Sequence, residues 1–298
     1  GQSDPAVRDE HRLLVGAWHH FAAGGETTGA GRPLTAQELL YHDGERRIQA
    51  DSLAFFDHHL RGIPGDVPSW ERVRYVRDGE GTWEGVDAWP PSTTARALYL
   101  DDTGALSATA PTGGSLDFVF DPDDPSPTIG GQTLAFDLMH GPYDQADVLA
   151  RSDHRVFVTA PLAEPLRIRG ALEAVLAVST TGVDTDFVVR VTDVDPGGVH
   201  LLLADGVRRL SLRNGFDAPD AVTGGQRYTL TVQVVNQLAY TFTAGHRVGL
   251  IVTSSNHPRF SRNPGNGDTF YTDAASSVTV TNTLYLDGES RLVLPADP

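Results

Sequence analysis

From about Val67 to the last residue the chain alternates apolar and polar side chains with a period of two, in short runs rich in Val, Leu, Thr and Tyr. The runs include 72–77 (RVRYVR), 97–100 (ALYL), 116–120 (LDFVF), 156–159 (VFVT), 187–192 (FVVRVT), 228–234 (YTLTVQV), 248–253 (VGLIVT) and 278–281 (VTVT). Successive side chains of a strand point to opposite faces, so this period marks strands with one face wet and one buried. Gly, Asp, Pro and Asn clusters separate the runs, as turns require. Strands at this spacing describe an antiparallel sandwich or jelly roll, and the expected class is mainly β. No repeat period and no low-complexity tract interrupts them, and 121–127 (DPDDPSP) reads as a rigid acidic loop.

The first 66 residues follow another logic. The run 13–16 (LLVG) is continuously apolar and ends in Gly, which fits a strand buried on both faces of a parallel sheet. Such a strand needs neighbours on both edges. A Gly- and Thr-rich loop follows, then a helix over about 45–60. Its Leu53, Phe56 and Leu60 fall at i, i+3 and i+7, with Ile48 and Phe55 on an adjoining stripe and Glu45, Arg46, Arg47 and Asp51 on the wet side. Gly62 and Pro64 stop it. The expected division is thus 1–66 and 67–298.

Composition removes several functions. The 39 acidic residues outweigh 23 basic ones, all Arg, for a net charge of −16. Such a chain repels phosphate backbones and anionic bilayers, so neither nucleic acid nor membrane is expected as a partner. Without cysteine there is no disulfide, thiol nucleophile or Cys-based metal site. The first ten residues hold no apolar stretch of signal-peptide length, and nowhere do 18 apolar residues run together, so a soluble chain is expected, with the cytoplasm preferred. No metal or cofactor is expected either. His58 and His59 are adjacent and point about 100° apart on a helix, unlike an i, i+4 pair. The carboxylates of 121–124, Asp184/Asp186 and Asp193/Asp195 lack EF-hand spacing and read as turn or solvated-edge residues.

The chemistry that remains centres on histidine. His19 and His20 follow the strand 13–15, and a loop leaving the C-terminal end of a parallel strand is where such sheets place reactive groups. An imidazole there can accept and return a proton near neutral pH, although a loop histidine can equally be a surface or hydrogen-bonding residue. A serine nucleophile would sit in a Gly-x-Ser-x-Gly elbow, and that motif is absent. Ser115 (GGSLD) and Ser290 (GESRL) have only the first glycine and read as turn residues. Trp83 and Trp89 are candidates for lining a substrate pocket, with aromatic core packing as the alternative.

The ordered set of 16–20 (GAWHH), 55–62 (FFDHHLRG), Trp83 to Trp89-Pro90-Pro91, 118–122 (FVFDP), 141–145 (GPYDQ), 183–187 (VDTDF), 244–247 (AGHR) and 256–263 (NHPRFSRN) resembles the C-terminal half of the cocaine esterase and X-prolyl dipeptidyl aminopeptidase family of serine hydrolases. The resemblance covers nearly the whole chain. It implies an α/β-hydrolase domain with a Ser-His-Asp triad, followed by a galactose-binding-like jelly roll. The family's Gly-Pro-Trp-x-His motif reads here Gly16-Ala17-Trp18-His19-His20, which puts His20 in the catalytic position, His19 in the variable one and Trp18 beside the substrate; Ala17 replaces the usual Pro. In this class the triad runs Ser, then Asp, then His along the chain. Nineteen residues ahead of His20 cannot hold the elbow and the acid loop. The expectation is therefore a chain that supplies the triad base and the jelly roll to an N-terminal α/β-hydrolase portion, from the same precursor or a separate subunit. Together they would cleave a small ester or an amide, X-Pro peptides included. The alternative expectation is a non-catalytic jelly-roll module that binds carbohydrate.

Overall fold

The computed structural model describes residues 5–16, 42–133, 135, 137–268 and 276–298. Two compact units emerge: Gly1–Ser92 with Ala239–Thr241, and Thr93–Leu238 with Phe242–Pro298.

In the first unit, a short helix α1 (Pro5–Arg8) precedes strand β1 (Leu13–Val15), and helix α2 (His42–Arg61) precedes β2 (Val73–Arg77) and β3 (Thr82–Val86). These strands form one sheet in the order β1-β2-β3, with β1 parallel to β2 and β2 antiparallel to β3. A parallel pair cannot be joined by a tight hairpin, so the chain crosses over between β1 and β2 through a segment that includes α2. The parallel strand is as expected, but it is not buried on both faces: Leu13 and Val15 stand exposed.

Helix α2 stops where Gly62 takes φ +65, a left-handed conformation that costs glycine little, and the Ile63 N–H returns to the Asp57 carbonyl at 3.0 Å. Its orientation departs from expectation. Asp51, assigned to the wet side, is half-buried and accepts from Arg74 Nη2 of β2 at 2.7 Å. Leu53, Phe56 and Leu60 are instead 62%, 55% and 76% exposed. The helix lays its Asp51 side on the strand and leaves the apolar stripe outward.

The second unit is an antiparallel β sandwich. Its strands are β4 (Thr94–Leu100), β5 (Leu106–Ser107), β6 (Ser115–Phe120), β7 (His154–Val158), β8 (Leu166–Thr180), β9 (Asp186–Val194), β10 (His200–Arg209), β11 (Tyr228–Phe242), β12 (Arg247–Thr253), β13 (Val280–Tyr285) and β14 (Arg291–Ala296). One four-stranded sheet has the order β10-β9-β12-β7, and a seven-stranded sheet has the order β5-β4-β14-β8-β13-β6 with β11 paired to β8. Phe118 of β6 meets Phe187 of β9 edge to face, ring centroids 6.4 Å apart, and so joins the two sheets through the core. The runs from 97 onward fall on strands, but those of β9 and β12 are buried on both faces rather than half wet. The run 72–77 does not join them. It pairs with β1, which carries the first unit beyond residue 66 to Ser92.

Every residue of β9 is buried, so both faces of the four-stranded sheet are covered. One face meets the other sheet. Over the other lie Gln145, at the start of helix α3 (Ala146–Leu149), and the 121–127 loop that follows β6, as the Arg190 bonds to Gln145, Ser126 and Pro127 show. At Gly206 the backbone of β10 runs so close to β11 that a Cβ would stand 2.2 Å from the Gln233 carbonyl oxygen.

Candidate functional site

The route to the expected base starts in β1. Leu13, Leu14 and Val15 align in parallel with Val73, Arg74 and Tyr75, and Gly16 ends the strand. His20, with His19 and Trp18, follows directly and lies outside the described residues, so the frame around that segment carries the geometry.

The two faces of this sheet differ in chemistry. Tyr75 and Val73 form a small core with Ala239, against which Val86 and Trp89 pack. The Trp89 ring meets Tyr75 at 4.9 Å. On the same face Glu84 accepts from Tyr75 Oη at 2.6 Å, Arg77 Nε at 2.7 Å and Arg77 Nη2 at 2.9 Å. The opposite face carries Arg74, which meets Asp51 and lies 4.2 Å over the Trp70 ring. Trp83 pairs in register with Val76, so alternation puts it on this second face. Trp83 and Trp89 therefore do not share a wall: Trp89 is a packing residue of the core face, and Trp83 is half-buried on the other.

Sequence reasoning missed Asp78, just beyond β2. Its N–H donates to the Ala239 carbonyl and its carbonyl accepts from the Thr241 N–H, both at 2.9 Å. The carboxyl itself takes no hydrogen bond among the described residues, and burial pushes it up to about 7. A lone Asp at a strand end looks like a turn residue, and nothing in the sequence distinguishes it.

The sandwich holds its own polar groups, and their partners are structural. Asp184 accepts from Ser211 N at 2.9 Å and Ser211 Oγ at 2.8 Å; Asp186 accepts from Arg209 Nε at 2.8 Å, and Asn263 Nδ2 reaches both carboxylates. Burial raises Asp186 while Arg209 pulls it back down. Arg190, fully buried, donates to Pro127 O at 2.8 Å and faces Asp205 across the strands. Asp205 in turn accepts from Asn256 Nδ2 at 2.7 Å and from Arg259. Burial lowers Arg190 to about 10, with Asp205 and Asp153 acting the other way. His246 Nδ1 faces both oxygens of Asp193 at 3.0 Å, with no hydroxyl hydrogen-bonded to its other nitrogen among the described residues. A triad needs that hydroxyl.

Neither serine candidate is placed as a nucleophile. Ser290 is buried; its Oγ donates to Tyr285 O at 2.7 Å and accepts from Ala177 N at 3.0 Å. Ser115 opens β6, exposed, opposite Tyr285. His58 meets His59 edge to face at 4.8 Å, and His59 meets Phe55 at a tilt at 4.3 Å, an aromatic cluster on α2. Among the described residues no three His, Asp or Glu side chains are grouped to hold a metal. None of the helices there is long and apolar enough to cross a membrane.

Residues 67–294 match the X-Pro dipeptidyl-peptidase C-terminal non-catalytic domain. The chain belongs to this domain family. It is 30% identical to the cocaine esterase of Rhodococcus sp. (strain MB1 Bresler) over 97% of its own length and 52% of that protein. Among solved structures it matches an α-amino acid ester hydrolase (TM-score 0.84, 29% identity, 98% of this chain and 51% of that one). It also matches an aminopeptidase from a marine sediment Thaumarchaeota archaeon (TM-score 0.83, 25% identity, 97% and 49%). The chain thus spans about half the length of the relatives it matches.

Proposed function

We propose that this chain is the C-terminal part of a serine hydrolase that cleaves esters or amides, X-Pro peptides among them, by acyl transfer, and that His20 is its triad base. One observation carries the reading. In front of the matched domain stands a fragment of parallel α/β structure whose apolar faces, Leu13 and Val15 on β1 and Leu53, Phe56 and Leu60 on α2, are exposed. A helix with apolar residues on its outer side and a charged residue toward its own sheet fits between two partners. The second partner in this reading is an N-terminal α/β-hydrolase portion that brings the serine, the aspartate and the oxyanion donors.

The roles follow from triad chemistry. The hydroxyl of serine is a weak nucleophile until a base accepts its proton. His20, five residues beyond β1 in the sequence, takes that proton as serine attacks the substrate carbonyl and returns it to the leaving alcohol or amine. Trp18, two residues before it, is the aromatic candidate for contact with substrate. The non-catalytic description of the 67–294 domain agrees with a base located ahead of it. The proposal divides the chain in function at 66/67, although the first compact unit itself runs on to Ser92, and reads the sandwich from Thr93 onward as the jelly roll. A free carbohydrate-binding module would have no use for residues 12–62, where Leu13, Val15, Leu53, Phe56 and Leu60 are exposed.

The test combines the chain with an N-terminal portion carrying a Gly-x-Ser-x-Gly elbow and exposes both to an active-site serine probe. The assembly should be labelled and turn over an ester, the isolated chain should do neither, and His20→Ala in the assembly should lose turnover. Labelling of the isolated chain, or normal turnover with His20→Ala, would overturn the proposal.

A further inference from the structure

The chain contains two Asn-Gly pairs, Asn214-Gly215 and Asn266-Gly267, and the structure treats them differently. Asn266 is held at both ends of its amide: Oδ1 accepts from Asp268 N at 2.9 Å and Nδ2 donates to Ser276 O at 3.0 Å. Asn214 is exposed, in the turn that follows the 3-10 segment Leu210–Leu212. Its Nδ2 donates to Asp220 Oδ2 at 3.0 Å, and its Oδ1 takes no hydrogen bond among the described residues. The Gly215 N–H is held only by a long contact of 3.4 Å to Leu212 O, and the space where a Cβ would stand is open.

We propose that Asn214 is a self-modification site, converting to aspartate and isoaspartate through Gly215, and that the new carboxylate opens the loop it now clasps. The Gly215 backbone nitrogen gives up its proton and bonds to Asn214 Cγ, and the side-chain nitrogen leaves as ammonia. The resulting five-membered imide then takes up one water at either carbonyl, so the net change is amide plus water to carboxylate plus ammonium. Glycine permits the approach because no side chain blocks the ring or restricts its backbone. The deprotonated nitrogen is the nucleophile, so the rate rises with pH. Nothing ties up the Asn214 carbonyl, whereas both ends of the Asn266 amide are anchored and its Cγ is held in place.

The consequence lies in what Asn214 does now. The loop is closed by its bond to Asp220 and by Asp220 N donating to Ser211 O at 2.6 Å. Conversion deletes the Nδ2 donor and sets a second carboxylate against Asp220. Like charges at hydrogen-bond distance repel, and one closure becomes an opening force.

The full chain, incubated at mildly alkaline pH and sampled over time, gives a direct test by tryptic mass mapping. Cleavage after Arg213 and Arg227 isolates 214–227, in which Asn214 is the one asparagine, while Asn266 falls in 263–291. The 214–227 peptide should gain the mass of –NH2 becoming –OH, as two isomeric products, before 263–291 changes, and Gly215→Ala should slow it. Conversion of 263–291 first, or a stable 214–227 while the free synthetic peptide converts, would overturn the site. The loop is tested separately by hydrogen exchange: Asn214→Asp should exchange faster than the parent over 211–220, and equal rates would overturn the opening.

Discussion

Arg77 reaches Glu84 diagonally across the β2–β3 hairpin through two hydrogen bonds of 2.7 and 2.9 Å, and the arginine is completely buried. Tyr75 completes the set through its hydroxyl on the same carboxylate. A guanidinium withdrawn from water is tolerable while a carboxylate faces it, and costly when the carboxylate goes. Glu84→Ala should therefore destabilise the first unit by about 3 kcal/mol, the scale of breaking one side of a buried pair. Denaturant unfolding of the full chain, read by Trp fluorescence, checks this. A change under about 0.5 kcal/mol, the range of ordinary surface substitutions, would contradict it.

Asp78 gives the fold a pH dependence with a definite sign. Its carboxyl sits at about 7 in the folded chain, against about 4 for an ordinary carboxylate in the unfolded one. Between those values the folded state binds the proton more tightly, so this contribution is complete below about 4 and is lost as the pH rises to about 7. Asp78→Asn keeps the shape without the charge. The variant should gain stability relative to the parent as the pH is raised through that window, with the difference levelling off above it. Unfolding midpoints of both proteins at several pH values measure it, and a difference that stays flat would rule out the assignment.

How far the sequence could be read depended on whether the deciding partner was local. The sandwich strands were legible because a period of two depends on each strand's own two faces. Helix α2 was legible in extent because Gly62 ends it. Its orientation was not: the rule that an apolar stripe faces the core assumes one partner, and here Asp51 meets Arg74 while Leu53, Phe56 and Leu60 face outward. The run 72–77 has the period of a sandwich strand, and only its pairing with β1 assigns it elsewhere. Nothing in the sequence marks Arg190 and Asp205, since Pro127 and Arg259, which bond to them, come from distant loops. Within the candidate site, the strand leading to His20 was legible as an apolar run ending in Gly16. His20 itself lies outside the described residues.

Asp205 is the carboxylate on which two buried guanidinium groups depend. Arg259 donates to it directly and Arg190 lies across the strand pair, while Asn256 supplies a further bond at 2.7 Å. Burial alone pushes Asp205 up, and the two arginines pull it back. Asp205→Ala should cost about 3 to 5 kcal/mol, because it removes the ion-pair partner of Arg259 and the foremost charge that offsets the burial of Arg190. Asp205→Asn, which keeps the size but not the charge, should recover only part of that loss. Equal stability of the alanine variant and the parent in urea would show that the arginines find other partners.

The outward stripe of α2 separates a solvent-facing helix from one that awaits a partner. Leu53, Phe56 and Leu60 lie on one side of the helix and are all exposed. Exposed apolar groups contribute little to the stability of the unit that carries them, and their burial against another surface is worth about 1.5 to 3 kcal/mol for each large side chain. Phe56→Glu should therefore leave the unfolding midpoint of the isolated chain nearly unchanged and reduce its tendency to self-associate. In the assembly with the proposed N-terminal portion the same substitution should weaken association by at least about tenfold, on the scale of one such side chain. Sedimentation of the isolated chain and titration of the two parts measure the two effects. Loss of stability in the isolated chain would mean that the stripe already packs within this unit, and unchanged association would mean that the partner binds elsewhere.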